Sequence, residues 1–187
     1  MLSEILRFLL EIGSSLFGAL LLARAWIFAV RLHPFNPMAQ AINQATNWLV
    51  TPMRKVLPAS KSFDWASLIA ALLIAIAYLL LMWVVSTGTL PPPALLPAML
   101  LAALIAVARW SLSLIVWMTL IQAVLSWVNP MATIMPVLRI LTEPLLLPIR
   151  RIMPNFGAID LSPIALLILA QIAMMVLNRI SYTLLGV

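Results

Sequence analysis

The chain has no cysteine. That excludes disulfides, thiolate metal sites and thiol catalysis, and leaves the redox compartment open. Charge is scarce too: 9% of the 187 residues are Asp, Glu, Lys or Arg, against about a quarter in a soluble domain. Histidine occurs once, as His33 beside Pro34. Haem or zinc would need further ligands, and only dispersed methionines are on offer. There is no glycine-rich phosphate loop, no nucleophile–base pair and no paired-carboxylate site, so an enzyme reading has no residues to rest on. No catalytic residue, metal or cofactor is expected.

Apolar residues make up 65% of the chain. Several apolar runs exceed the roughly 20 residues that cross a bilayer. A backbone in lipid must satisfy its own hydrogen bonds, so only helices or a closed barrel can span it. The runs are continuous rather than alternating, which selects helices. The net charge of +6 reads as charge sorted by membrane side rather than as a nucleic-acid footprint. Ala23-Arg24-Ala25 superficially resembles a signal-peptidase site. However, Glu4 and Glu11 precede it, the apolar run continues through Trp26-Ile27-Phe28, and the segment recurs later in the chain. Retention of this segment is expected.

That recurrence organises the whole sequence. A shift of 96 residues superposes Pro34 on Pro130, Thr46 on Thr142, Pro52 on Pro148, Arg54 on Arg150, Pro58 on Pro154 and Asp64 on Asp160, and sets Lys55 on Arg151. No gap is needed, so the chain is an internal duplication, with residues 1–92 and 93–187 as the two units. In each, a proline-punctuated polar connection leads through a basic pair and a proline to an aspartate, then directly into an apolar run.

The expected spans are about 12–30 and 65–85 in the first unit and about 110–127 and 162–177 in the second. Residues 2–11 form an apolar-striped segment, either an interfacial helix or the lead-in to the first span. The 35 residues from Ala94 to Val128 exceed one span. The repeat register divides them into a lead-in followed by the third span, and an additional fifth span over 94–109 is the alternative. Pro37–Val50 reads as an amphipathic helix capped by Asn36, with Met38, Ala41, Ile42, Ala45 and Leu49 on one face. A further helical turn is expected between Pro52 and Pro58. In the second connection the expected helix covers Pro136–Thr142, with an Arg139–Glu143 pair at i,i+4. The two connections carry Arg31, Arg54, Lys55, Lys61, Arg139, Arg150 and Arg151. By the positive-inside rule they face the cytoplasm, and both termini lie outside. The expected architecture is an all-α membrane protein: four transmembrane helices as two parallel tandem repeats with amphipathic cytoplasmic interfacial helices.

Three stretches resemble the YggT family, called YlmG in some bacteria and in chloroplasts: LLLARAWIFAVRLHPFNPMAQAINQAT (20–46), TPMRKVLP (51–58) and LTEPLLLPIRRIMPNFGAIDLSPIALL (141–167). The first copy departs from the turn motif, with Trp48 in place of Pro144 and Lys61 in place of Gly157. The resemblance implies a bacterial inner-membrane location and no catalytic activity. It implies one of two roles. One is assembly or scaffolding of membrane complexes, as in cell division or the attachment of haem to a b-type cytochrome. The alternative is osmotic-stress-related ion or solute transport by an oligomer.

Arg24 lies about seven positions, roughly 10 Å, inside the first span. Intramembrane charge of this kind costs about 2.5–3.5 kcal/mol on insertion scales. Candidate partners are Asp64, Asp160, Gln122 and Gln171. Snorkelling to the interface and a direct part in transport are the alternatives. The repeat partner of Arg24 is Leu120, so its role belongs to the first unit. Gln122, Gln171 and Asn178 suit interhelical hydrogen bonds. Arg54, Lys55, Arg150 and Arg151 suit anionic phospholipid headgroups or a docking membrane protein. Asp64, Asp160, Ser162 and Pro163 read first as helix starts. Expected partners are therefore the bilayer, its anionic headgroups, and a membrane protein or a second copy, with no nucleic acid.

Overall fold

The computed structural model describes residues 1–57, 63–152 and 160–185. Pro58, Lys61, Pro154 and Gly157 lie outside them. Among the described residues six α-helices follow in order: α1 (Leu2–Ala29), α2 (Pro37–Met53), α3 (Trp65–Thr87), α4 (Leu96–Val128), α5 (Met135–Ile152) and α6 (Ser162–Leu185), with one 3-10 turn at Pro93–Leu95. Four of them (α1, α3, α4 and α6) are long and apolar enough to cross a membrane.

Small residues set the packing. Helix α3 is apolar all round, as lipid requires. It buries only one seam, Ala66, Ser67, Ala70, Ala71 and Ala75, while most of its larger side chains stay outside. This seam lies against α1, which is its main neighbour. Without a hydrophobic drive inside lipid, close backbone approach through small residues is what holds such helices together. Helix α6 repeats the design against α4 with Ser162, Leu166 and Ala170 buried. The units meet where α4 packs on α1 and α3. There the ring of Trp110 covers Gly18, and a Cβ at Gly18 would stand 2.2 Å from Cε3 of that ring. Helix α3 ends at Gly88, whose φ of +72° makes the left-handed cap that only glycine adopts cheaply.

Both helices that enter the connections are longer than the expected spans. Helix α4 runs unbroken from Leu96 to Val128, so the lead-in and the span are one rod of 33 residues, about 50 Å long. Helix α1 is likewise continuous over 28 residues, about 42 Å, and passes through Ala23-Arg24-Ala25 without interruption. It closes with a Schellman pattern: Leu32 N–H donates to Ile27 O at 3.1 Å and Arg31 N–H to Phe28 O at 3.1 Å. Arg31 occupies the left-handed position, with φ +55°.

The connection helices correct four expectations. The buried face of α2 is Ala39, Ile42, Thr46 and Val50, while Ala41 and Ala45 are exposed. The face turned inward is therefore the one that carries Thr46 to Arg24, since α2 packs on α1 and α3. Helix α2 also continues past Val50 through Pro52. Helix α5 continues well beyond Thr142, through Pro144 and Pro148, to Ile152. An interior proline loses one backbone hydrogen bond and tends to break a helix. Here Leu138, Leu141, Thr142 and Leu146 remain buried across the prolines, so packing holds the rod together. Finally, Glu143 pairs with Arg150, not with Arg139. The partner seven residues on lies two turns along the same face, beside Asp160.

Candidate functional site: a duplicated ion pair at the connection end

The two basic turns and the two aspartates meet in space. Arg54 Nη2 donates to Asp64 Oδ2 at 2.7 Å. Arg150 donates to Asp160 Oδ2 from Nε at 2.9 Å and lies 2.8 Å from it through Nη2. Each pair spans ten residues, and the 96-residue shift carries one onto the other. Both aspartates also start a helix. Asp64 Oδ1 accepts from Ser67 N–H at 3.4 Å and its Oδ2 from Ser67 Oγ at 2.7 Å. Asp160 Oδ1 accepts from Ser162 N–H at 2.9 Å, with Pro163 next inside α6.

Burial of the carboxylate separates the copies. Asp64 is 4% exposed and Asp160 45%, while their arginines Arg54 and Arg150 are 49% and 35% exposed; the first pair has in addition the buried Arg24, 5% exposed. Arg24 reaches into the first pair from α1, with Nε 3.6 Å from Asp64 Oδ2. Its Nη1 donates to Thr46 Oγ1 at 2.8 Å and Asn47 Oδ1 at 2.9 Å. Thr46 in turn donates to Ile42 O at 2.7 Å. Of the candidate partners for Arg24, the geometry brings up Asp64. The guanidinium is held inside the protein rather than extended to the surface.

Burial pushes the Asp64 carboxyl up, but hydrogen bonds from Ser67 and Arg54 outweigh it and hold the group below the usual carboxylate range. Asp160 is held low against a burial effect in the same direction, by Ser162 and Arg150.

In the second unit Leu120 replaces Arg24, and Gln122 meets the connection helix instead. Its amide lies against the Thr142 hydroxyl, which is also 2.9 Å from Leu138 O. Thr142 has one proton for two acceptors. Amide ends are interchangeable in shape. With the NH2 end turned inward, Gln122 donates to Thr142 and Thr142 to Leu138, the same relay that runs from Arg24 through Thr46 to Ile42. A further bond ties the units together: Trp26 Nε1–H donates to Leu141 O at 2.9 Å. Helices α2 and α5 therefore lie at the same end of the bundle.

Gln171 and Asn178 are not drawn into this network. Both are exposed on α6. Lys55 and Arg151 are exposed as well, and among the described residues neither has an ion-pair partner. The Arg54–Asp64 and Arg150–Asp160 pairings were missed from sequence, although a ten-residue spacing of opposite charges, kept in both copies, was a usable signal.

Four membrane-length helices in two tandem units, each closing an Arg–Asp pair at the start of its second helix, define a duplicated multi-pass membrane protein. The family described as CCB3/YggT matches this chain twice, over residues 3–85 and 101–181. The chain belongs to that family. It is 33% identical over 168 residues to the uncharacterized protein YggT of Escherichia coli K12, covering 89% of this chain and 86% of that one. It is also 33% identical over 181 residues to an uncharacterized protein of Pseudomonas aeruginosa, covering 93% and 89%. An uncharacterized protein of Haemophilus influenzae is 31% identical over 180 residues, covering 95% and 92%. No solved structure matches.

Proposed function

We propose that the protein is a noncatalytic assembly or scaffolding factor of the bacterial inner membrane that engages partner membrane proteins along α6. The observation that carries this reading is Gln171. It stands nine residues past Ser162, about 14 Å into the span, on the exposed side of α6. Asn178 lies two turns further on and is also exposed. An amide facing hydrocarbon without a partner is unfavourable. A polar group on a neighbouring membrane helix relieves that, at about 1 kcal/mol per bond. By the positive-inside rule the connections are cytoplasmic, and Lys55 and Arg151 are then the charges available to anionic headgroups or to a partner's cytoplasmic surface.

The transport alternative calls for polar side chains at successive depths. The fully buried polar residues among the described residues gather at the connection end, with Thr119 deepest at nine residues or about 14 Å from the end of α4, while the partly buried Arg7 and Trp83 place unpaired nitrogens toward the other end. The gap between the two groups favours assembly over conduction. The test is a mild-detergent purification from native cells, comparing wild type with Gln171→Leu/Asn178→Leu. Loss of co-purifying membrane proteins with an unchanged melting temperature supports the reading. Equal recovery of partners by both proteins, or recovery of wild type alone together with a protein-dependent flux in liposomes, rejects it.

A further inference from the structure

A cavity of about 300 Å³ opens at the connection end between α1, α2 and the start of α3. Arg24, Asn47, Arg54 and Asp64 line its polar part, and Phe28 and Leu32 line its apolar part. Among the described residues that line it, two guanidiniums face one carboxylate, a formal excess of one positive charge. Among the described residues the buried Arg24 Nε has no hydrogen-bond partner, its ion-pair contact with Asp64 Oδ2 lying at 3.6 Å. Asn47 Oδ1 is already used by Arg24, which leaves its NH2 group to donate.

The second unit shows what this arrangement is missing. The repeat partner of Asn47 is Glu143, whose carboxylate accepts from Arg150 Nη1 at 3.0 Å. Arg150 is thus bracketed by two carboxylates of its own chain, Glu143 and Asp160. Arg54, its counterpart, has Asp64 and, in place of Glu143, a neutral amide. The first unit has gained a second arginine and lacks one acid, with a cavity beside them.

We propose that this cavity binds a phosphate monoanion in the place that the Glu143 carboxylate fills in the second unit, with Arg24, Arg54 and the Asn47 amide as donors. Guanidinium groups match phosphate oxygens in geometry and charge. A cation is disfavoured by the positive excess. The phosphate is either the phosphodiester of a phospholipid, whose glycerol end would meet Phe28 and Leu32, or free inorganic phosphate.

The experiment measures the melting temperature of the purified, delipidated protein while phosphatidylglycerol, inorganic phosphate or dioleoylglycerol is titrated in. Native mass spectrometry counts retained lipid in parallel. A saturable rise with phosphatidylglycerol alone identifies the lipid source, and a saturable rise with inorganic phosphate as well identifies free phosphate. Asn47→Glu supplies the acid of the second unit internally. It should lose the response to either ligand and retain no phospholipid. The proposal is overturned if neither phosphate compound stabilises wild type, if dioleoylglycerol acts as strongly as phosphatidylglycerol, or if N47E responds like wild type. Should N47E not purify as a folded protein, Arg54→Gln is titrated instead, and an undiminished response there counts against the proposal equally.

Discussion

Asp64→Ala and Asp160→Ala remove the same residue from the same motif in two environments. In the first unit, the substitution leaves Arg24 buried with neutral acceptors only and with the like charge of Arg54 close by. Breaking a buried pair from one side costs about 3–5 kcal/mol, and losing the helix cap adds about 1 kcal/mol. For a chain of this size each kcal/mol moves the melting temperature by about 2–4 °C, so D64A should melt more than about 10 °C lower. In the second unit, the pair is roughly one-third to one-half exposed, where ion pairs are worth about 0.2–1 kcal/mol. With its cap, D160A should lose a few degrees. Arg24→Leu on top of D64A removes the orphaned charge and should recover part of the loss. The seven tryptophans allow unfolding to be followed by fluorescence in a single detergent. Equal losses for D64A and D160A, or no recovery in the R24L/D64A double variant, would refute the claim that burial sets the worth of this pair.

Acid should act through the same carboxylate. The Asp64 pKa is depressed on folding, so its stabilisation is full above the unfolded value of about 3.9 and is lost as pH falls through the lower folded value. Melting temperature should fall below about pH 4 in wild type and fall less steeply in Asp64→Asn; parallel curves would contradict this. Gly18→Ala pushes a methyl group into the Trp110 ring and should cost about 1–3 kcal/mol, as overpacking does; an unchanged melt would show that α1 and α4 separate freely. Arg31 holds a left-handed conformation that costs a non-glycine residue about 1–2 kcal/mol. Arg31→Gly should therefore raise the melting temperature by a few degrees, and a decrease would mean that its charge matters more than its backbone.

The duplication, the four apolar spans and the aspartate helix starts were legible because each rests on local chemistry. Spans follow from length and hydropathy, and caps from a carboxylate placed before a helical run. What escaped depends on rotation and packing. The inward face of α2 is turned from the expected one because Thr46, a polar residue, is drawn in by Arg24. Hydropathy alone places such a residue outside. Helix α5 runs through Pro144 and Pro148 because its buried leucines hold it, and no propensity scale weighs that. Arg150 takes Glu143 away from Arg139 because the start of α6 brings Asp160 to the same spot, and Asp160 lies ten residues along the chain.

The Trp26–Leu141 bond bears on how such a chain could arise. A single unit of this kind would have to stand beside a second copy pointing the same way through the membrane, with the two tryptophans donating crosswise. Each copy would also bury its own Arg24, at an insertion cost of about 2.5–3.5 kcal/mol apiece. In the duplicated chain the position equivalent to Arg24 is Leu120, so this molecule carries one such buried guanidinium where a symmetric homodimer of the first unit would carry two.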